Sequence, residues 1–315
     1  MTSKNAATPL VERLLGGEKL ALARAITAVE NNTPAAAGIL QAIAPHLGRA
    51  SVLGFTGPPG AGKSTLINAF VAALRDRAQS VAVLAVDPSS PLSGGAILGD
   101  RIRMSEHVAD PGVFVRSLAS RGHLGGLSRA TAHVIDLMDA AGWDTIILET
   151  VGAGQSEFEM TDLAHTNIVL LAPGLGDDIQ AMKAGILEIA DILVVNKADL
   201  PGAGTTASQL KSMLSLRPDS GGEVPVIETV ATTGAGVDQL ADAVSNQLGA
   251  RDKPGGEHQR RQWFRKMLAN AAIQQLDSMI KAGTSPNIED LCARLQRGEI
   301  HIDDAVQRLL HSLEP

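Results

Sequence analysis

The spacing of apolar residues changes twice along this chain. From Leu10 to Val29 the apolar positions Leu14, Leu15, Leu22, Ala25, Ile26 and Val29 recur at helical spacing, and the stretch NNTPAA breaks the pattern. Thr33 and Pro34 suit the start of a further helix, so residues 1–49 read as a segment of two or three helices. From Ser51 onward the period shortens. Strand-length runs rich in β-branched residues appear at SVLGFTG, SVAVLAVD, DTIILET, NIVLLAP, DILVVNKAD and VPVIETVA, most of them separated by longer helix-compatible segments. This alternation predicts an α/β fold with a mainly parallel sheet over residues 50–248. Past Leu248 the Gly/Pro/charge stretch GARDKPGGEHQ reads as a linker. Helical spacing then returns from Arg260 to about Lys281, with a final helix pair around Ile288–Arg297 and Ile302–Leu313. Residues 249–315 thus form a C-terminal helical arm.

Composition narrows the class. Hydrophobic residues make up 44% of the 315 positions and charged residues 19%, enough for a substantial core. The net charge of −7, from 27 basic and 34 acidic residues, argues against a broad nucleic-acid-binding face. The cluster Arg260, Arg261, Arg265 and Lys266 reads as the solvated face of an amphipathic helix. Cys292 is the only cysteine, which excludes an intrachain disulfide and a cysteine-built metal cluster; it reads as a small buried helix residue. The opening MTSKNAATPLVERLL lacks the features of a signal or transit peptide, and runs such as Ile168–Ala172 are far too short to cross a membrane. The cytoplasm is the expected location, with no membrane partner.

The chemistry sits after the apolar runs, where sheets of this kind bind ligands. GPPGAGKS, from Gly57 to Ser64, matches G-x-x-x-x-G-K-[ST] between a predicted strand and a predicted helix, the context a P-loop requires. The N–H groups of Gly57, Gly60, Ala61 and Gly62 (Pro58 and Pro59 have none) would cradle phosphate oxygens, reinforced by the positive end of the helix that Thr65 helps to open. Lys63 would reach the β- and γ-phosphates and the Ser64 hydroxyl would ligate Mg²⁺. Mg²⁺ prefers hard oxygen ligands, so carboxylates at neighbouring strand tips are the next candidates. Asp87 follows SVAVLAV, Glu149 follows DTIIL, and Asp100 lies in the loop leaving the second run. Capping competes as a role for Asp87, and much less so for Glu149.

VVNKAD contains N-K-x-D. The Asp199 carboxylate would accept hydrogen bonds from the guanine N1–H and 2-amino group, Asn196 would contact the base edge, and the Lys197 stem would cover the ring. The wrong base leaves buried polar groups unpaired, so the predicted ligand is GTP or GDP rather than ATP. Gly152 in ETVG is placed to sense a γ-phosphate through its N–H. Gln155 stands three residues beyond Gly152, so it is not assigned the role of positioning water, and His123 reads as a loop residue.

Together with LAVDPSSPLSGGAILGDRIRM, RSLASRGHLGGLSRAT, ILETVGAGQSE and PGLGDDIQAMKAGILEIADILVVNKADL, these motifs resemble the MeaB-type GTPases, the methylmalonic aciduria type A family once called ArgK-like. The resemblance runs from Leu10 to Leu313. It implies a GTPase domain flanked by N-terminal helices and a C-terminal arm that mediates homodimerisation. It further implies a chaperone that couples GTP hydrolysis to cofactor loading and protection of an adenosylcobalamin-dependent acyl-CoA mutase, foremost methylmalonyl-CoA mutase. By position it implies that Asp87, Asp100 and Glu149 form the acidic cluster around Mg²⁺ with Ser64, and that Val230, Ala231 and Thr232 support the guanine site. Val230 replaces the serine common there. Ala172–Lys183 resembles the additional switch loop that communicates with the mutase. No arginine reads as an intrinsic finger, so hydrolysis is expected to be slow alone and stimulated by a partner. Three other readings compete, one of them a binding module that holds nucleotide without hydrolysis. A GTPase metallochaperone delivering nickel or zinc would be expected to display a Cys or His cluster, which one cysteine and eight scattered histidines do not offer. A P-loop kinase or phosphotransferase using ATP would have no need of N-K-x-D.

Overall fold

Seven strands pair into one sheet because their apolar, β-branched faces can be buried only against neighbours on both sides. In a computed structural model the strands are β1 (Ser51–Thr56), β2 (Val81–Asp87), β3 (Val113–Ala119), β4 (Thr145–Thr150), β5 (Thr166–Leu171), β6 (Ile192–Asn196) and β7 (Val226–Thr229). Their order is β3-β2-β4-β1-β5-β6-β7, and every pairing within the sheet is parallel. The structure describes residues 4–87, 107, 109–119, 129–150, 163–174, 186–215, 224–251, 265, 268–269, 272–273, 275–283 and 286–312. The chain divides into two compact units, Met1–Glu257 and His258–Pro315.

The first unit holds the sheet and the helices α1 (Lys4–Leu15), α2 (Lys19–Glu30), α3 (Ala36–Ile43), α4 (Lys63–Asp76), α5 (Arg129–Ala140), α6 (Ile186–Ile189), α7 (Ala203–Leu214) and α8 (Val237–Arg251). One face of the sheet, with Leu53, Phe55, Val83, Ile147, Ile168 and Val194, packs against Leu66, Ile67 and Phe70 of α4 and Leu240, Ala241 and Val244 of α8. On the other face Val169, Leu171, Leu193 and Val195 meet Ala203, Ala207 and Leu210 of α7. At β1's central place, the Phe55 and Phe70 rings lie 5.5 Å apart.

The helical run expected from Leu10 to Val29 is two helices. Gly17 adopts φ 78°, a left-handed conformation that ends α1 and turns the chain into α2. α2 packs on α5 and on both α1 and α3, so the N-terminal helices belong to the body of the first unit. β3 was not among the predicted runs. Arg116 and Ser117 interrupt its apolar pattern, and the structure accommodates Arg116 by pairing its guanidinium with Glu30 of α2 at 2.8 Å. Asp139 of α5 accepts N–H groups from Gly48, Arg49 and Ala50 at 2.5, 3.0 and 2.8 Å, which fixes the chain as it enters β1.

The second unit contains α9 (Pro286–Gln296) and α10 (Ile302–His311), which bury Ile288, Leu291 and Ala305. Cys292 is exposed, contrary to the buried position read from sequence. It follows the buried Leu291 by one residue, a rotation of about 100° around the helix that turns it away from the packed stripe. Among the described residues no helix is long and apolar enough to cross a membrane.

Candidate functional site

The carboxyl ends of β1, β4, β6 and β7 converge at one edge of the sheet, and each contributes a loop or side chain there. β1 ends at Thr56 and α4 begins at Lys63, so the loop between them is GPPGAG. Two of its glycines are irreplaceable on steric grounds. Gly57 has φ 144°, and a Cβ on it would collide with the Leu170 carbonyl of β5. Gly62, the N-cap of α4, has φ 90°, and a Cβ there would sit 2.5 Å from the Asn196 amide nitrogen. Gly62 offers no side-chain cap to α4, whose positive end opens onto the loop. Pro58 and Ala61 are buried, whereas Pro59, Gly60 and Thr65 are exposed at the rim.

Lys63 is buried in the first turn of α4, and its ammonium donates to the carbonyls of Gly57 and Pro58 at 2.5 and 3.2 Å. The cation is thus held inside the loop rather than extended into solvent. One residue on, the Ser64 hydroxyl donates to Glu149 Oε1 at 2.7 Å. Glu149 is only 2% exposed and pairs in register with Phe55 of β1, so parallel pairing of β4 with β1 carries its carboxylate to the start of α4. A hydroxyl and a carboxylate in contact beside a cationic loop form a set of hard oxygen donors. Asp87 is the last residue of β2, opposite Ala119 of β3, at the same edge of the sheet. Asp100, Gly152 and most of Ala172–Lys183 lie outside the described residues, as do His123 and Gln155.

The N-K-x-D loop leaves β6 on the other side of β1. Asn196 is 1% exposed, and its Nδ2 donates to the Ala61 carbonyl at 2.9 Å. Its Oδ1 accepts from the Thr229 hydroxyl at 3.1 Å and from the Ala231 N–H at 3.2 Å. Lys197 takes the left-handed φ of 56° unusual for a side-chain-bearing residue, and its Cε lies 3.9 Å from where a Cβ on Gly62 would be. Lys197 and Asp199 are exposed. Val230 donates its N–H to Ala235 at 2.9 Å and accepts from Thr233 and Gly234, closing a tight turn that brings the Ala231 N–H to Asn196. Thr229 is the residue that sequence reasoning missed. Its signal was its place opposite Asn196 in the β6–β7 register, which cannot be read before the strands are paired.

The family model described as methylmalonyl-CoA mutase-associated GTPase MeaB matches residues 22–285. The chain belongs to the MeaB family of GTPases. Its P-loop thus serves a guanine nucleotide, and the family is one of GTP-hydrolysing enzymes. Similar relatives include a presumed GTPase of Pyrococcus abyssi, 41% identical over 96% of each chain. GTPase ArgK of Escherichia coli is 46% identical over 60% of this chain and 58% of its own. The mouse mitochondrial methylmalonic aciduria type A homolog is 37% identical over 73% of this chain and 60% of its own. Among solved structures, one of an LAO/AO transport system kinase superposes with a TM-score of 0.73 at 27% identity, covering 99% of this chain and 98% of that one.

Proposed function

We propose that this MeaB-family GTPase is a chaperone that couples GTP binding and hydrolysis to cofactor loading and protection of an adenosylcobalamin-dependent acyl-CoA mutase, foremost methylmalonyl-CoA mutase. The observation that carries the reading is the family match across residues 22–285, whose description pairs a GTPase with that mutase. The mouse relative's name points the same way.

In this reading Gly57, Pro58, Pro59, Gly60, Ala61, Gly62, Lys63, Ser64 and Thr65 wrap the phosphates, and the Lys63 ammonium exchanges its carbonyl partners for β- and γ-phosphate oxygens. The Ser64–Glu149 contact, with its hard oxygens, fits Mg²⁺, which those two residues would hold together with Asp87 and Asp100. When bound, the ion supplies charge neutralisation at the phosphates. Gly152 would answer to the γ-phosphate through its N–H. Asp199 would pair with guanine, Lys197 would cover the ring, and Val230, Ala231 and Thr232 would close the base pocket. Residues 249–315 would serve as the arm of a homodimer, residues 50–248 as the GTPase domain and residues 1–49 as a helical segment. The setting would be the cytoplasm.

The test is GTP and ATP hydrolysis by the purified protein, with and without a cobalamin-dependent acyl-CoA mutase from the same source. We expect slow GTP turnover, acceleration by the mutase, and loss of turnover in Lys63→Ala. GTP turnover indifferent to every such mutase would overturn the client. Preference for ATP would overturn the guanine assignment and favour a kinase of the kind named for the superposed structure.

A further inference from the structure

Asp110 is not among the candidate site residues, yet every polar atom it has is engaged. Its carboxylate accepts from Arg75 of α4 at both oxygens, Nε to Oδ2 at 2.9 Å and Nη2 to Oδ1 at 3.1 Å, and from the Gly112 N–H at 2.7 Å. Its carbonyl accepts from the Lys19 ammonium of α2 at 3.0 Å and from the Val113 N–H at 3.2 Å. Its own N–H donates to the His107 carbonyl at 3.1 Å. The partners are fixed in turn. Arg75 also donates to the Gln79 carbonyl at 2.7 Å. Lys19 donates to the Val113 carbonyl at 2.7 Å, with its ammonium 5.8 Å from the centre of the Trp143 ring. Gly112 packs so closely against the guanidinium that a Cβ there would collide with it. Arg75, and then the Gly112 N–H, hold the Asp110 carboxyl below its ordinary value of 3.8, so the pair is charged at neutral pH.

Position along α4 gives this cluster its meaning. Arg75 stands in the last turn of α4, and two turns earlier the Asn68 carbonyl accepts from His107 Nε2 at 3.1 Å. The carbonyl can only accept, so that ring nitrogen carries the proton. Asn68 in turn lies one turn beyond Ser64, whose hydroxyl meets Glu149. The chain entering β3 is thus fastened to the phosphate-loop helix at two levels, the upper one a turn from the hydroxyl–carboxylate pair. Between Asp87, at the nucleotide edge of the sheet, and His107, the sequence carries Asp100. Partly exposed ion pairs add little to stability, so a fully occupied cluster of them matters for the geometry it imposes. We infer that Asp110 is a positioning residue for the metal side of the site: clamped by Arg75 and Lys19, it fixes where the stretch bearing Asp100 returns to α4, one turn from Ser64.

The inference rests on the Mg²⁺ reading of the site, and the experiment separates the two. GDP dissociation constants are measured across a Mg²⁺ titration and in EDTA. The chains compared are wild type, Arg75→Met, Gly112→Ala, Asp110→Ala, Asp100→Ala, Arg77→Met and the double variant Asp110→Ala/Asp100→Ala. Arg75→Met and Gly112→Ala break the clamp from its other side should Asp110→Ala fold poorly, and Gly112 has no positive φ, so its alanine adds no backbone strain. Each clamp variant is expected to raise the Mg²⁺ concentration at half-effect by about tenfold, as when a group that orients a metal ligand is lost. GDP affinity in EDTA stays at the wild-type value. Arg77→Met, which removes ion pairs from the same helix end to Asp238 and Asp242 of α8, leaves the Mg²⁺ response as it is. Asp110→Ala adds nothing once Asp100 is replaced. The inference is overturned if Asp100→Ala shifts the Mg²⁺ response and the clamp variants do not, or if the two shifts add in full. The same shift in Arg77→Met, or equal weakening of GDP by the clamp variants in EDTA, would also overturn it. If Asp100→Ala itself leaves the Mg²⁺ response unmoved, the metal reading of Asp100 fails, and the inference with it.

Discussion

At the scale of single residues, the phosphate loop is governed by where a Cβ can and cannot exist. Gly62 combines a left-handed backbone with contact against the Asn196 amide, so Gly62→Ala incurs both conformational strain and displacement of a buried side chain. The expected cost is about 1–3 kcal/mol of stability, read from urea denaturation. Gly204 provides the contrast: it lies in α7 with no atom within 4 Å of a built Cβ and no positive φ. Gly204→Ala should be neutral or stabilising by up to ~1 kcal/mol, since alanine loses less backbone entropy in a helix. Equal destabilisation by the two substitutions would refute the steric account of the loop. Lys197 pursues the same economy of space from the other side, adopting a left-handed backbone next to Gly62.

At the scale of elements, α5 decides how the N-terminal helices meet the sheet. Its Asp139 anchors residues 48–50, and one turn earlier Asp136 carries a carboxyl pushed up to about 6, first by burial and then by the Asp139 charge. The sign follows directly. The folded-state value lies above the ordinary 3.8, so the unfolded chain ionises first. Asp136 therefore reduces stability progressively as pH rises from about 4 to about 6, and the full penalty applies above that. Asp136→Asn removes the charge and should raise stability at pH 7 by on the order of 1–3 kcal/mol, with no gain near pH 3.5. Thermal melts at the two pH values check this; a gain of the same size at both would sink it. β3 shows the limit of reading elements from pattern. Its Arg116 spoils the apolar run, and the Glu30 carboxylate 86 residues earlier, with the Thr27 hydroxyl on the same helix, partners the half-buried cation in that strand.

At the scale of the whole molecule, the residues of the candidate site that the structure describes, from Gly57 to Thr232, lie within the unit Met1–Glu257. A unit with its own core that carries a complete site should bind on its own. A chain ending at Glu257 is accordingly expected to keep wild-type GDP affinity to within about twofold, as measured by isothermal titration. A loss of tenfold or more would mean that His258–Pro315 contributes to the site.

Much of this architecture was legible from residue order alone because its causes are local. Alternating strand and helix periods, glycines packed ahead of a lysine and serine, and N-K-x-D at a strand end each state their chemistry within a few residues. Tertiary structure decided what depends on partners distant in sequence. It placed the Glu149 carboxylate on the Ser64 hydroxyl 85 residues away, brought Arg116 to Glu30, and turned Cys292 outward from a helix whose packed stripe lies one residue to the side. It also gave Asn196 its work. The motif marks the residue as part of a base site, but the number of hydrogen bonds an amide has left to offer is settled only when Ala61, Thr229 and Ala231 have taken theirs. Pattern reveals which groups are present, and strand register determines which of them are already spent.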